Sequence, residues 1–183
     1  AAAEPADCVE VRVTLTDEER LQYAVAEPEE KYKLCSTAHT KVNVVKAILD
    51  KHRGQQTLII GAYIDQLEEL GRELDAPVIQ GSTKNKEREA LFDRFRAGEI
   101  STLVVSKVAN FSIDLPEASV AVQVSGTFGS RQEEAQRLGR LLRPKHDGGT
   151  AHFYSVVSRD TLDADYAAYR QRFLAEQGYA YRI

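Results

Sequence analysis

Three observations predict an α/β domain with a largely parallel sheet and helices on both faces. Apolar runs at 57–61 and 102–106 carry no polar alternation, the pattern of strands covered on both sides. Between the apolar runs lie segments of about 10–15 residues with apolar positions at helical spacing. Capping and turn residues fall at the junctions.

The elements follow in order. Residues 9–15 (Val-Glu-Val-Arg-Val-Thr-Leu) alternate apolar and polar, which predicts a half-buried strand. Thr16-Asp17-Glu18-Glu19 reads as a capping box opening a helix through about Tyr23. Glu27-Pro28-Glu29-Glu30-Lys31 is charged and holds a proline, so a turn or linker is expected. Ser36-Thr37 precede a helix over 39–52, with Val42, Val45, Ile48 and Leu49 on one side and Gly54 as its stop. Strand 57–61 leads to a helix marked by Ile64, Leu67, Leu70 and Leu74. A short strand at 77–79 precedes a charged helix over 84–97, with Leu91, Phe92 and Phe95 inside. Strand 102–106, an irregular loop, strand 119–124, helix 130–142, strand 151–157 and helix 160–176 complete the chain. Residues 1–35 form a strand–helix segment and linker, and 36–183 the main domain. In such sheets ligands sit at the carboxyl ends of the strands, so the loops after 61, 106 and 124 are the places to search.

Composition narrows the function. The chain has 183 residues, 43% of them hydrophobic and 28% charged, which suits one domain with a sizeable core. A net charge of −4 excludes a protein that attracts nucleic acid with its whole surface, so any such contact is local. No apolar run approaches the ~20 residues of a membrane helix, and no leader pattern opens the chain; a cytoplasmic protein without membrane contact is expected. Cys8, Cys35 and four scattered histidines lack the spacing of a zinc site or a disulfide framework. Reduced, partly buried thiols are expected. Methionine is absent, even at position 1, which predicts a piece of a longer chain.

The strongest constellation is Gln136-Arg137-Leu138-Gly139-Arg140-Leu141-Leu142-Arg143. On a helix at ~100° per residue, Gln136, Arg140 and Arg143 fall within about 60° of one another, with the leucines opposite. A solvated basic face would share this geometry. Glu133 can pair with Arg137, but Arg140 and Arg143 have no acid one turn back. Two such guanidinium groups can clamp a multiply charged oxyanion.

Other segments sit where a parallel sheet presents ligand sites. Ser106-Lys107 leave a buried strand, and Asp114 follows within Ile113-Asp114-Leu115-Pro116-Glu117-Ala118, where alone it would read as a turn residue. In Gly61-Ala62-Tyr63 the backbone amides can face a phosphate beside Tyr63, or Tyr63 can cover the core. Gly81-Ser82-Thr83 offers two hydroxyls as candidate phosphate contacts, with Arg88 read as structural. Thr127 lies in Gly126-Thr127-Phe128-Gly129-Ser130, where the glycines permit close backbone approach and Ser130 can cap a helix.

These segments resemble the second motor domain of superfamily 2 helicases. The sequence Gln-Arg-x-Gly-Arg-x-x-Arg is similar to their motif VI, and Ile-Asp-Leu-Pro-Glu-Ala looks like the XPB branch in particular. The resemblance runs from about residue 9 to the end, with motifs IV, V and VI in order. It implies a RecA-like three-layer sandwich serving as the C-terminal half of an ATP-dependent 3′–5′ DNA helicase in DNA repair. It further implies that Arg140 and Arg143 act on the γ-phosphate of ATP, with Gln136 beside them and Asp114 near the ribose. Tyr63, Ser106, Lys107 and Thr127 are the implied DNA contacts, to a single strand or a fork. Ala109-Asn110 departs from the Gly-Asp expected in eukaryotic relatives and suggests a bacterial branch.

Two expected segments are missing. The chain has no Gly-x-x-x-x-Gly-Lys-Ser/Thr loop to cradle phosphates and no Asp-Glu-x-His segment to hold Mg²⁺. ATP and Mg²⁺ are therefore expected mainly on a first RecA-like domain of the same polypeptide, and this chain alone is expected to be inactive. Two other readings remain open here: a double-strand translocase of the restriction-enzyme kind, and a nucleic-acid-binding module without catalysis. Oligomeric state is not assigned.

Overall fold

A computed structural model describes residues 7–106, 118–126, 150–176 and 181–183. The strands are β1 (Asp7–Val13), β2 (Thr57–Gly61), β3 (Val78–Ile79), β4 (Thr102–Ser106), β5 (Val120–Gln123), β6 (His152–Ser158) and β7 (Tyr181–Arg182). The helices are α1 (Asp17–Val25), α2 (Pro28–Ser36), α3 (Thr40–Lys51), α4 (Ile64–Leu74), α5 (Asn85–Arg96) and α6 (Leu162–Glu176). The strands form one seven-stranded sheet in the order β3-β4-β2-β5-β6-β1-β7, and every described pairing is parallel.

Alternate residues of the central strands pack on opposite sides, as a parallel sheet requires. Ile59 of β2 and Val104 of β4 join Val42, Val45 and Ile48 of α3 and Leu67 and Leu70 of α4. Leu58, Leu103 and Val105 face the other way, onto Phe92 and Phe95 of α5. The sheet thus has helices on both faces, and the predicted strands 57–61 and 102–106 stand at their predicted limits.

The capping box is present at α1: Thr16 Oγ1 accepts from Glu19 N at 3.1 Å, and Glu19 Oε1 accepts from Thr16 N at 2.9 Å. Gly54 follows α3 with φ +84°, the left-handed geometry that glycine adopts without strain.

Three expectations need correction. The turn or linker expected at 27–31 is the start of α2. Pro28 occupies the first turn, where its missing N–H costs nothing, and Glu29 and Glu30 favour the positive helix end. The strand expected at 9–15 begins and ends two residues earlier. Its two faces are both partly covered: Val9, Val11 and Val13 pack on the core, while Cys8 and Glu10 are buried on the opposite face and Arg12 is exposed. Glu10 is buried there and accepts from Arg12 Nε at 2.7 Å and from Gln171 of α6. β7 went unforeseen: two residues pair with Cys8 and Val9, and Arg182 binds Asp7 at 2.7 Å. The helix expected at 130–142 lies outside the described residues.

Candidate functional site at the carboxyl ends of the strands

The ends of β2 and β4 lie side by side, with Gly61 opposite Ser106, and β5 flanks β2 with Gln123 opposite Ile60. Gly61 has no room for a side chain. A Cβ there would stand 2.8 Å from Leu67 Cδ2, 2.9 Å from Ser125 Oγ and 3.0 Å from Val124 Cγ2. The absent side chain lets β2 turn directly into α4 beneath the exit of β5.

Tyr63 is the residue before α4 and is half-buried. Its ring lies 6.1 Å from that of Tyr32, and Lys33 Nζ stands 5.8 Å from its centre. Burial first, then the neighbouring Cys35, Tyr166 and Asp163, hold the Tyr63 hydroxyl above its ordinary pKa. The phenol therefore stays protonated at neutral pH and can donate a hydrogen bond. Ser106 is buried at the end of β4. The structure thus brings Tyr63 and Ser106 to neighbouring strand ends. Lys107 is the next residue after Ser106, and Thr127 the next after Gly126. Lys107, Asp114, Thr127, Gln136, Arg140 and Arg143 all lie outside the described residues.

Behind this edge stands a polar frame that the sequence reading missed. Ser125 Oγ accepts from Ala62 N at 2.9 Å and donates to Gln66 Oε1 at 2.8 Å, while Gln66 Nε2 donates to the Ser36 carbonyl at 3.0 Å. Gly126 N donates to Tyr32 Oη at 3.0 Å. Lys41 Nζ donates to the Val124 carbonyl at 2.6 Å and to Asp163 Oδ2 at 2.8 Å, and both side chains are 1% exposed. Asp163 Oδ2 also accepts from Ser158 N at 2.8 Å. One signal was available: Lys41 shares the spacing of Val45 and Ile48 on the buried side of α3, and a lysine there requires a partner.

The turn after β3 is self-contained. Thr83 Oγ1 accepts from Gln80 N at 3.0 Å, and Arg88 Nη2 donates to the carbonyls of Gln80 and Thr83. Arg88 is structural, as expected, and the Thr83 hydroxyl is engaged within the turn. Cys8 and Cys35 are free and buried. Among the described residues no three His, Cys, Asp or Glu side chains converge to hold a metal ion. Nor is any described helix long and apolar enough to cross a membrane.

Comparison with known proteins decides the family. The family described as ERCC3/RAD25/XPB C-terminal helicase matches residues 3–183. The chain belongs to this XPB family. It is 78% identical over 179 residues to the DNA 3′-5′ helicase XPB of Mycobacterium tuberculosis, covering 98% of this chain and 33% of that protein. Against the protein of the same description from Kineococcus radiotolerans the identity is 73%, covering 98% of this chain and 32% of the relative. The yeast subunit XPB/SSL2 of the general transcription and DNA repair factor IIH is 37% identical, covering 96% of this chain and 22% of its own. The chain thus spans about a third or less of the length of these relatives. Among solved structures, the C-terminal domain of the DEAD-box protein Dbp5 superposes with a TM-score of 0.69 at 16% identity, covering 97% of this chain and 89% of that one. The RNA helicase Prp28 from Chaetomium thermophilum bound to ADP gives 0.68 at 16% identity, over 99% of this chain and 39% of that one. At such identities these neighbours speak for the RecA-like fold alone.

Gly61-Ala62-Tyr63 and Ser106, which the resemblance implies belong to motifs IV and V, are among the described residues. The residue types of motif VI stand in the chain at 136–143, and the described segment before it, 124–126, is hydrogen-bonded to Lys41, Ala62, Gln66 and Tyr32.

Proposed function

We propose that this domain is the second motor half of an ATP-dependent 3′–5′ DNA helicase acting in DNA repair in the bacterial cytoplasm, at the nucleoid. The observation that carries the reading is the convergence of the exits of β2, β4 and β5 on one edge, each leading into one of the three helicase motifs. Residues 1–35 would lead in from the first motor domain while contributing β1 to the sheet.

ATP binds between the two motor domains in this reading. The chain lacks a phosphate loop, and in this reading Mg²⁺ is held mainly by the first domain. This domain supplies charge and shape. Arg140 and Arg143 neutralise the γ-phosphate as the cleft closes, Gln136 orients beside them, and Asp114 meets the ribose. Arginines in such a role raise turnover by ~10³–10⁵ where they stabilise the transferring phosphoryl group. Tyr63, Lys107 and Thr127 follow one DNA strand, with Ser106 buried at the end of β4, so closure of the cleft moves the two domains along it.

The test uses the full-length protein. Arg140→Ala and Arg143→Ala are each expected to lower DNA-stimulated ATP turnover by orders of magnitude with unchanged circular dichroism, and the 183-residue chain alone to hydrolyse no ATP. Near-normal turnover in either folded variant would refute the assignment to the γ-phosphate.

A further inference from the structure

Three successive residues at the exit of β5 are each held by a separate part of the domain. Lys41 of α3 binds the Val124 carbonyl at 2.6 Å, the Ala62 amide and Gln66 of α4 hold the Ser125 hydroxyl at 2.9 and 2.8 Å, and Tyr32 of α2 takes the Gly126 amide at 3.0 Å. The Lys41–Asp163 ion pair anchors this clamp. Asp163 also holds Ser158 N at 2.8 Å, so the pair ties the exit of β5 to the exit of β6.

Stability is a poor reason for such a pair. Desolvating two charges offsets most of their attraction, and apolar groups of similar volume often serve as well. A buried ammonium does one thing an apolar side chain cannot: it fixes the direction of the Val124 carbonyl, and with it the path of the chain beyond. The next segment in sequence, 127–143, carries Gln136, Arg140 and Arg143.

We infer that Lys41 and Asp163 are positioning residues that set where the arginine-bearing segment leaves the sheet. The inference rests on the role proposed above for Arg140 and Arg143. Misplacing a reacting group by about 1 Å can cost on the order of a hundredfold in rate. The role is therefore expressed in kcat for ATP hydrolysis and little in ATP affinity.

The experiment is steady-state ATP turnover of the full-length protein on single-stranded DNA, with K41M/D163N compared to the parent. Methionine keeps the unbranched apolar stem of the lysine and ends where its ammonium would begin, asparagine still accepts from Ser158 N, and no charge of the pair is left unpaired. The expected result is a loss in kcat of about ten- to a hundredfold, with KM for ATP within about twofold. Unchanged kcat in the folded variant, or a loss confined to KM, would overturn the inference, even if the melting temperature falls. Ser125→Ala removes a second point of the clamp without burying a charge, and is expected to lower kcat several-fold at constant KM. If K41M/D163N fails to fold, Ser125→Ala decides alone, and unchanged kcat overturns the inference. Arg143→Ala run alongside separates the two levels. If it keeps normal turnover, the proposed role of the arginines fails and the positioning role with it. If it loses turnover while the clamp variants keep theirs, only the positioning role fails.

Discussion

Lys41→Met alone should be among the most damaging single substitutions in this domain. Asp163 would keep its bond to Ser158 N but lose its counter-ion at 1% exposure. Removing one member of a buried ion pair costs about 3–5 kcal/mol. In a domain of this size each kcal/mol moves the melting temperature by about 2–4 °C, so a fall of roughly 6–20 °C is expected. Adding Asp163→Asn removes the stranded charge. What then remains is the Val124 carbonyl without its donor, a cost of about 1–3 kcal/mol, so the double variant should melt above the single one. Thermal unfolding of the 183-residue chain followed by circular dichroism gives both numbers, provided the transition is two-state. A Lys41→Met melt indistinguishable from the parent, or a double variant no more stable than the single, would refute the buried pair.

Three further outcomes are expected. Gly61→Ala would place a Cβ 2.8 Å from Leu67 and 2.9 Å from Ser125; the overpacking should cost about 1–3 kcal/mol in denaturant melts, and an unchanged midpoint would contradict the close approach. Burial raises the thiols of Cys8, to about 12, and of Cys35. Because the thiolate is the reactive form, an aromatic disulfide reagent should label neither in the native chain and both after unfolding; rapid native labelling would disprove the burial. Hydrogen bonding to Glu69 at 3.0 Å, reinforced by its charge, raises the pKa of His39. The pair's contribution is therefore complete below the unfolded value and fades as pH rises through the folded one, and its exposure keeps that contribution small. An NMR titration should place the His39 midpoint above its ordinary value and lower it in Glu69→Gln; equal midpoints in the two proteins would exclude the interaction.

The elements most legible in the sequence were those whose burial follows from local pattern. β2 and β4 are apolar throughout because helices cover both faces of the sheet, and their limits match the expected ones. The helix at α3 followed from Val42, Val45 and Ile48. Pattern failed where a distant partner decides the outcome. The alternation at 9–15 suggested one wet face, but Glu10 meets Gln171 of α6, a pairing no local window contains. Proline ends a helix from within, so Pro28 reads as a break in the sequence; at the first turn it starts one. The placement of Tyr63 and Ser106 at neighbouring strand ends followed from their position after apolar strands. Lys41 and Asp163 were missed because 122 positions separate them in sequence.

That division has a physical basis. Residues that touch a ligand must gather on loops at strand ends, so they cluster in short stretches and read as motifs. Residues that place those loops are bound only by geometry and come from anywhere in the chain. Tyr32 and Lys41 precede all three motifs, yet they bind Gly126 and the Val124 carbonyl at the exit of β5. Ser125 joins that exit to Ala62, the residue before Tyr63. The loop proposed above to contact DNA and the strand exit leading toward the arginines proposed to face the nucleotide therefore share one hydroxyl. Two loops bonded through one buried group cannot shift independently without breaking a hydrogen bond, at a cost of about 1–3 kcal/mol for the group left unpaired. In the motor role proposed above such a joint would link DNA contact to phosphate contact, because movement at either loop is felt at the other.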